Sequence, residues 1–330
     1  MKAAFITETG PPSKITFGEL PEAVPKATEL LIEVGAVAVN PIDTYIRGGM
    51  IPMPLPLPFV VGCDFAGTIR SLGSEVRGFK VGDRVWGSNQ GLLGRQGTFA
   101  ERITVDQSFC YQTPQNCSDE DIAALALVCI TAHLGLCQRA LLRRGETLLV
   151  NGGAGGVGSA VIQIGKAMGA KVIATAGSDE RAAICQSLGA DVVINHKSED
   201  VGAVVARKTA QGVDIFWETQ RHPDFNASID LLAENGRMVV MAGRDAQPPF
   251  PVGPFYVKGC SLHGFAMFKA SAADQEKCAA DIANWIENGH IRANIGKRFP
   301  LSEAAKAHEL QEANTIHSAG TLHGKIVLTP

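Results

Sequence analysis

The chain of 330 residues is longer than one hydrophobic core usually supports, so two domains are expected. Its content of 45% hydrophobic and 19% charged residues is typical of a globular protein, and a net charge of −3 offers no basic excess for nucleic acid or an anionic membrane. The apolar runs are too short for a membrane span and the first residues lack the apolar core of a signal peptide, so we expect a cytoplasmic protein.

The first 120 residues have the pattern of a β-rich domain. Residues 30–40 and 65–73 are rich in β-branched side chains and are bounded by glycine and proline. Residues 76–87 place turn residues between valines, as small barrels do. The proline-rich segment 52–58 indicates an extended surface loop.

From about residue 120 the pattern changes to alternating strands and helices. A segment with a helix cap and an acidic first turn begins at residue 118. The apolar runs TLLV, KVIATA, DVVI, VDIFWE and RMVVMAG then alternate with predicted helices at 156–168, 179–188, about 199–209 and about 224–233. This alternation is typical of parallel βαβ units. A long amphipathic helix within 272–291 and a final strand within 321–330 follow.

The segment Gly153-Ala-Gly155-Gly-Val-Gly158 matches the G-x-G-x-x-G fingerprint of dinucleotide-binding proteins. It follows a predicted strand and begins a predicted helix, which is the context that the fingerprint requires. In this motif Gly153 permits the tight turn, Gly155 lets the backbone approach a pyrophosphate, and Gly158 lets the helix lie close to the strand. Gly156 and Val157 begin the helix, whose N–H groups and dipole favour a phosphate.

The choice between NAD and NADP depends on the end of the next predicted strand. An NAD site usually carries Asp or Glu about 20 residues after the loop, but Gly177 stands there. Ser178 and Arg181 follow and suit a 2′-phosphate, so NADP is favoured over NAD. Asp179 and Glu180 fit the acidic first turn of a helix, and Arg181 as a solvated helix residue is the alternative.

Several motifs occur in order along nearly the whole chain. They are NPIDTYIRGG (40–49), LPFVVGCDFAGTI (57–69), GFKVGDRVWG (78–87), GTFAERITV (97–105), the glycine-rich loop, GADVVIN (189–195) and HGKIVL (323–328). Together they resemble the medium-chain dehydrogenase/reductase superfamily, and within it the zinc-independent quinone oxidoreductases related to zeta-crystallin. The resemblance implies an α/β fold with a GroES-like β-rich catalytic domain, 1–121 completed by 292–330, and a Rossmann doubly wound parallel-sheet domain, 122–291. It also implies a homodimer formed partly through an edge strand near 259–265.

The same resemblance bears on zinc. Zinc-dependent members carry Cys-x-x-Asp and Gly-His-Glu, where this chain has Asn40-x-x-Asp43 and Gly62-Cys63-Asp64. The cysteine spacing also lacks the four close cysteines of a structural zinc site, so we expect no zinc. Hydride transfer from NADPH to a quinone is favoured. The alternatives are reduction of an activated C=C bond in a 2-alkenal, an enone or an enoyl thioester, and a non-enzymatic NADPH-binding sensor or structural protein.

The candidate catalytic residues come from the segment NPIDTYIRGG. Asn40 takes the place of a zinc cysteine, and its amide suits a bond to a cofactor or substrate oxygen. Tyr45 suits donation to a carbonyl, and Asp43 suits the orientation of both groups. The alternatives are an internal ion pair between Asp43 and Arg47 and a half-buried structural phenol at Tyr45.

The resemblance implies the remaining cofactor contacts. Thr131 contacts the nicotinamide end, and Lys325 reaches the adenosine phosphates or the pocket rim. The residues that line the nicotinamide are Ala242, Gly243, Phe265, Ala266 and Met267. His196 stands where the family often has a tyrosine near the 2′-phosphate, and its imidazole can stack on a ribose or, when protonated, pair with the phosphate. An exposed loop histidine is the alternative.

Overall fold

The computed structural model describes residues 1–330, which form two compact units. The first unit consists of residues 1–127, 270–287 and 292–330, and the second of residues 128–269 and 288–291. The helix at 272–287 therefore groups with the first unit, whereas sequence analysis grouped it with the second. It packs there against the short helical turn Gln107–Phe109.

The strands and helices have the following bounds. The strands are β1 Lys2–Ile6, β2 Thr16–Glu19, β3 Glu29–Val39, β4 Phe59–Val60, β5 Asp64–Leu72, β6 Arg84–Gly87, β7 Arg102–Asp106, β8 Tyr111–Gln112, β9 Thr147–Asn151, β10 Lys171–Ala176, β11 Val192–Asn195, β12 Val213–Glu218, β13 Leu232–Val240, β14 Ser261–Gly264, β15 Ile295–Pro300 and β16 Lys325–Thr329. The α-helices are α1 Pro41–Arg47, α2 Asp119–His133, α3 Gly156–Ala167, α4 Asp179–Ser187, α5 Val201–Lys208, α6 Phe225–Leu231, α7 Val252–Val257, α8 Ala272–Glu287 and α9 Ala304–Thr315.

The second unit is built on a six-stranded parallel sheet with the strand order β11-β10-β9-β12-β13-β14. Numbered within this sheet, the order is the 3-2-1-4-5-6 of the Rossmann fold. The predicted doubly wound parallel sheet is thus confirmed. The order reverses between β9 and β12, so the carboxyl ends of these two strands form the switch point at which such sheets bind ligands.

The centre of this sheet is buried on both faces. Leu148, Leu149 and Val150 are successive residues of β9, and none of them has any exposed surface. Because successive side chains of a strand point to opposite faces, both faces must be covered. This explains why the strands of this unit are short continuous apolar runs rather than alternating ones.

The first unit contains a larger, mainly antiparallel sheet, in which β15 and β16 pair in parallel, and a smaller antiparallel sheet. The larger sheet has the order β15-β16-β3-β5-β6-β8, with β7 also paired to β3, and the smaller has the order β2-β1-β4. The final strand β16 lies between β15 and β3, and Ile326 pairs with Val39 at the end of β3. The last residues of the chain therefore complete the sheet that the first 112 residues begin.

Helix α2 is part of a longer helical segment. It continues into a π-helical segment, Leu134–Arg139, to give 21 residues. By length and composition this helix could cross a membrane, but 78% of its most apolar stretch is buried inside the protein. The expectation that the apolar runs are too short for a membrane span is therefore corrected for this helix, whose burial is that of a core helix.

Helix α9, which sequence analysis does not predict, carries a fully buried histidine. Neither ring nitrogen of His308 has a hydrogen-bond partner, and its ring packs edge-on against Phe99 with 5.8 Å between the ring centres. Burial, together with the charge of Arg47, lowers the pKa of His308 to about 3. The imidazole is therefore neutral in the folded protein at neutral pH.

We expect His308→Leu to remove one source of acid destabilisation. An unfolded histidine, with a pKa near 6.5, binds a proton that the folded residue does not, so a change from pH 7 to pH 5 costs roughly 2 kcal/mol of unfolding free energy at this residue. Buried Asp43, whose pKa is raised to about 7, acts in the opposite direction over this range. The measured quantity is therefore the difference between the free energies of unfolding of wild type and variant, each obtained by urea unfolding. On going from pH 7 to pH 5, the variant should lose less stability than the wild type. A difference that stays equal at the two pH values would contradict this assignment.

Candidate functional site

The glycine-rich loop follows β9 directly, at the switch point of the sheet. It turns at Gly152, whose φ of +80° is one that glycine adopts at no steric cost. Sequence analysis assigned the turn to Gly153, but the chain bends one residue earlier, immediately after the strand ends. Gly153 instead permits close packing, because a Cβ there would lie 2.9 Å from side chains on α3, β10 and α4.

The other glycines of the loop leave room for a phosphate. A Cβ on Gly158 would lie 2.3 Å from the carbonyl oxygen of Gly152, so only glycine lets α3 approach the loop this closely. A Cβ on Gly155 would meet no atom nearer than 3.4 Å, which means that this side of the loop is open. Gly155 also caps α3 without a side chain, so no side-chain oxygen occupies the N–H groups of the first turn at Gly156 and Val157. The loop fits the diphosphate of a dinucleotide.

A partly buried chain of hydrogen bonds, which we call the loop relay, fixes this loop in place. Glu218 ends β12, is 1% exposed, and accepts hydrogen bonds of 3.0 Å at both oxygens from Nδ2 of Asn151. Oδ1 of Asn151 accepts from the hydroxyl of Thr175 at 2.6 Å, and Oγ1 of Thr175 accepts from the N–H of Gly152 at 3.0 Å. Each hydrogen bond of the loop relay is donated toward Glu218. The carboxylate at the end can only accept, so it determines which group of each pair is the donor.

Sequence analysis missed the loop relay. Burial raises the pKa of Glu218, and the bonds from the backbone of Gln220 and from Asn151 oppose that shift. The available signal was that Asn151, Thr175 and Glu218 are polar residues at or near the ends of three apolar runs. In a parallel sheet these ends meet at one edge, where a ligand binds.

A second group of side chains meets at the end of β10. A Cβ on Gly177 would lie 3.3 Å from Cε1 and 3.4 Å from Nε2 of His196, so the imidazole covers the position where NAD sites carry a carboxylate. Ser178 caps α4 by accepting a hydrogen bond of 3.3 Å from the N–H of Arg181. Burial lowers the pKa of His196, and Lys197 and Arg181 lower it further by their charge. The structure thus brings together Ser178, Arg181 and His196, and adds Lys197.

The residues predicted to line the nicotinamide lie after β13 and β14 and on α2. Ala242 and Gly243 follow β13 with φ of +73° and +63°, which turn the chain sharply at this edge. The ring of Phe265 lies near Gly135 in the continuation of α2, where a Cβ would be 3.2 Å from Cε1 of the ring. Thr131 lies one helical turn earlier and is buried. The remaining two predicted residues, Ala266 and Met267, lead into the short turn Met267–Lys269.

The first unit contains a buried polar cluster around Asn40. Asn40, Asp64 and Lys325 are 1%, 0% and 7% exposed. Nδ2 of Asn40 donates to Oδ2 of Asp64 at 2.7 Å, and Nζ of Lys325 donates to Oδ1 of Asn40 at 2.5 Å. Ser88 donates to the other oxygen of Asp64 at 2.6 Å, and Lys325 also donates to the carbonyl of Val39 at 2.8 Å. Both the nitrogen and the oxygen of the Asn40 side-chain amide are therefore hydrogen-bonded.

Lys325 is expected from the resemblance at the adenosine phosphates or the pocket rim. The structure places its ammonium in the Asn40 cluster, 3.9 Å from Oδ2 of Asp64. It reaches this position because it is the first residue of β16, beside the end of β3. A contact with the adenosine phosphates stays a prediction.

Asp43 lies on α1, next to the cluster. Its Oδ2 accepts a hydrogen bond of 2.8 Å from the N–H of Asn40, its Oδ1 has no partner with hydrogen-bond geometry, and the thiol of Cys63 lies beside the carboxyl group. Burial raises the pKa of Asp43 to about 7, and the charge of Asp64 adds to the shift. The carboxyl group of Asp43 therefore takes up a proton at a higher pH than an ordinary aspartate does.

The structure decides one of the two alternatives on α1, the ion pair of Asp43 with Arg47. The ion pair of Asp43 with Arg47 is not formed, since the guanidinium of Arg47 pairs with Glu312 of α9 and with the carbonyl of Gly10. Tyr45 is half-buried on the same helix. A role for its phenol as a hydrogen-bond donor stays a prediction.

The donor set of the Asn40 cluster does not fit zinc. The ammonium of Lys325 already provides the positive charge there, and both oxygens of Asp64 accept hydrogen bonds. Nowhere in residues 1–330 do three His, Cys, Asp or Glu side chains converge as metal ligands. A catalytic zinc site needs three such protein ligands.

Comparison with known proteins agrees with this geometry. The chain matches the family "Alcohol dehydrogenase GroES-like domain" over residues 26–115 and the family "Zinc-binding dehydrogenase" over residues 156–285. A human quinone oxidoreductase is 32% identical over 99% of this chain and 97% of the relative. The structure of an Escherichia coli quinone oxidoreductase complexed with NADPH is 26% identical with a TM-score of 0.86, and that of an NAD-dependent alcohol dehydrogenase is 29% identical with a TM-score of 0.90. Each comparison of structures covers 100% of both chains.

The similarity to the human enzyme spans almost the full length of both proteins, and the two matched families correspond to the predicted GroES-like and nucleotide-binding parts. Fold, loop and sequence identity thus agree with the resemblance seen in the sequence motifs. The chain is an oxidoreductase that belongs to the quinone oxidoreductase branch of the medium-chain dehydrogenase/reductase superfamily.

Proposed function

We propose that this oxidoreductase transfers a hydride from NADPH to a quinone without a metal. The observation that carries the cofactor choice is at the end of β10, where His196 covers Gly177 and leaves no carboxylate for a ribose 2′-hydroxyl. Ser178 and Arg181 offer a hydroxyl and a guanidinium to a 2′-phosphate instead. The Escherichia coli relative was solved with NADPH, and the human relative is named a quinone oxidoreductase. When bound, NADPH supplies the hydride.

The residues of the second unit bind and orient the cofactor. The open side of Gly155 and the first turn of α3 accept the diphosphate, and the loop relay to Glu218 keeps the loop in its binding conformation. Positioning of this kind is the main contribution that a protein makes to hydride transfer.

The Asn40 cluster orients a donor for the acceptor oxygen. One Nδ2–H of Asn40 donates to Asp64, and the other makes only a long contact of 3.5 Å with the carbonyl of Ala38. The raised pKa of Asp43 favours its protonated form, and the phenol of Tyr45 lies on the same helix. A quinone is electron-poor and needs little acid assistance, so hydrogen-bond donors suffice without a Lewis acid.

The test measures the oxidation of NADPH and NADH with benzoquinone, a naphthoquinone, a 2-alkenal and crotonyl-CoA, each with and without a chelator. We expect turnover of the quinones that persists after chelation. Turnover of only the 2-alkenal or crotonyl-CoA would show that the substrate carries an activated C=C bond and is not a quinone. Loss of activity on chelation would overturn the metal-free proposal, and cofactor binding without any turnover would favour a sensor.

We also propose that two copies of the chain pair through β14. This strand lies at the edge of the six-stranded sheet, so its outer N–H and C=O groups lack a strand partner. Apolar side chains on and near it are 41% to 69% exposed, namely Leu262, Val252, Tyr256 and Val257. Sedimentation equilibrium is expected to give a dimer for the wild type and a monomer for Leu262→Arg. Val24→Glu, which changes an exposed apolar residue of the first unit, is the matched control and should stay dimeric. A monomeric wild type would contradict the proposal.

A further inference from the structure

His196 is held where the proton on its ring can respond to the cofactor. Its backbone N–H donates to the carbonyl of Ala176 at 3.1 Å, which ties the residue to the end of β10, and its ring packs against Gly177. The backbone of His196 is therefore fixed at the junction between β10 and the loop after β11, and its exposed imidazole lies beside Gly177.

The charges that face His196 are mostly positive. Arg181 on α4 and Lys197 beside it in the chain both act on the imidazole. The carboxylates on the same segments are Asp179, Glu180, Glu199 and Asp200, of which Asp200 accepts a hydrogen bond of 2.7 Å from the N–H of Ala203 in α5. Asp179 accepts from Nδ2 of Asn195 at 2.7 Å, and Glu199 accepts from the N–H of Asn195 at 3.0 Å, so these two carboxylates are directed to Asn195.

These surroundings favour a neutral imidazole in the protein without cofactor. Burial lowers the pKa of His196, and the two cations lower it further. A phosphate dianion bound among the same cations acts in the opposite direction, because a nearby negative charge favours the protonated imidazole. NADH has no 2′-phosphate and leaves the protonation state of the imidazole unchanged.

We propose that His196 is a specificity-determining residue that takes up a proton when the 2′-phosphate binds, so that the preference for NADPH over NADH weakens as the pH rises. The inference rests on the proposed use of NADPH and adds its regulation by pH. The proton comes from solvent and resides on the imidazole in the complex. No bond of the cofactor changes in this step.

The sign of the proton exchange separates His196 from the phosphate itself. A phosphate monoester has a second pKa near 6, and binding beside cations lowers that pKa, so the phosphate releases protons below about pH 7. His196 takes protons up. At pH 7.5 the phosphate is already almost fully ionised, and a net uptake at this pH reports the histidine.

The experiment is calorimetric titration of the full-length protein with NADPH and NADH at pH 7.5, in two buffers of different ionisation enthalpy. Wild type is expected to take up roughly a few tenths of a proton with NADPH and none with NADH. Because the slope of log Kd with pH equals the number of protons taken up, its Kd for NADPH should rise at pH 7.5 by roughly twofold per pH unit. His196→Gln should show no uptake and a flat Kd over this range. His290→Gln, at an exposed histidine of the same unit, is the matched control and should behave as wild type.

Gly177→Asp provides a second test of the same contact. The new carboxylate would lie against the imidazole and charge it before any cofactor binds, and it would also offer a partner to a ribose 2′-hydroxyl. We expect this variant to bind NADH more tightly than NADPH and to lose the proton uptake.

The outcomes distinguish the inference from the function on which it rests. If NADPH binds no more tightly than NADH at any pH, both the proposed cofactor and the role of His196 are overturned. If NADPH is preferred but wild type and His196→Gln take up the same number of protons, the role of His196 alone is overturned.

Discussion

Replacement of Lys325 by methionine is expected to lower the free energy of unfolding by about 3–5 kcal/mol, the usual cost of removing one partner of a buried ion pair. The variant leaves Oδ1 of Asn40 and the carbonyl of Val39 without their donor. It also leaves the carboxylate of Asp64 buried without an opposite charge nearby. Equilibrium unfolding in urea measures the loss.

Two further variants make this result specific. Lys297→Met removes an exposed lysine from the neighbouring strand β15, and it should change the unfolding free energy by less than about 0.5 kcal/mol. Adding Asp64→Asn to Lys325→Met removes the uncompensated charge and should recover part of the stability. Equal losses for the two lysine variants would show that Lys325 does not act through its buried charge.

Glu218→Gln is expected to raise the Kd of NADPH and of NADH by the same factor, about 10- to 100-fold. Glutamine is uncharged and keeps only one of the two oxygens that accept hydrogen bonds from Nδ2 of Asn151, and its amide nitrogen faces that donor. The charged acceptor at the end of the loop relay is lost, so the relay holds the N–H of Gly152 less firmly. Hydrogen bonds to a charged group contribute about 1.5–3 kcal/mol, which corresponds to the stated factor.

Fluorescence titration with both cofactors measures this effect. Glu146→Gln is the matched control, because Glu146 is a half-buried acid that pairs with Arg237 at the opposite end of β9 from the loop. It should leave both dissociation constants unchanged. A loss confined to NADPH would place the effect of Glu218 at the 2′-phosphate rather than at the loop.

The second unit was the more predictable from sequence, for a physical reason. In a parallel sheet the strands are short continuous apolar runs, and KVIATA and VDIFWE coincide with β10 and β12 at both ends. The cofactor loop has a local signature, since Gly158 is required by its close approach to Gly152 and Gly155 leaves the side of the loop open for a phosphate.

Contacts between distant residues were not predictable in this way. Glu218 meets Asn151 only because β12 and β9 pair in a register that aligns these two residues. Lys325 begins an apolar strand, and nothing local shows that it will lie beside Asn40. His308 lies in a mostly polar helix, whose sequence gives no sign that this position faces Phe99.

The place of β16 also constrains the order of events during translation. The sheet of the second unit uses only residues 147–264, so that unit can form while later residues are still inside the ribosome. The large sheet of the first unit must wait for residues 325–329, because β16 fills the gap between β3 and β15. We therefore expect Asn40 and Asp64 to stay hydrated through most of synthesis and to become fully buried only when Lys325 arrives, which donates to the amide of Asn40 and balances the charge of Asp64.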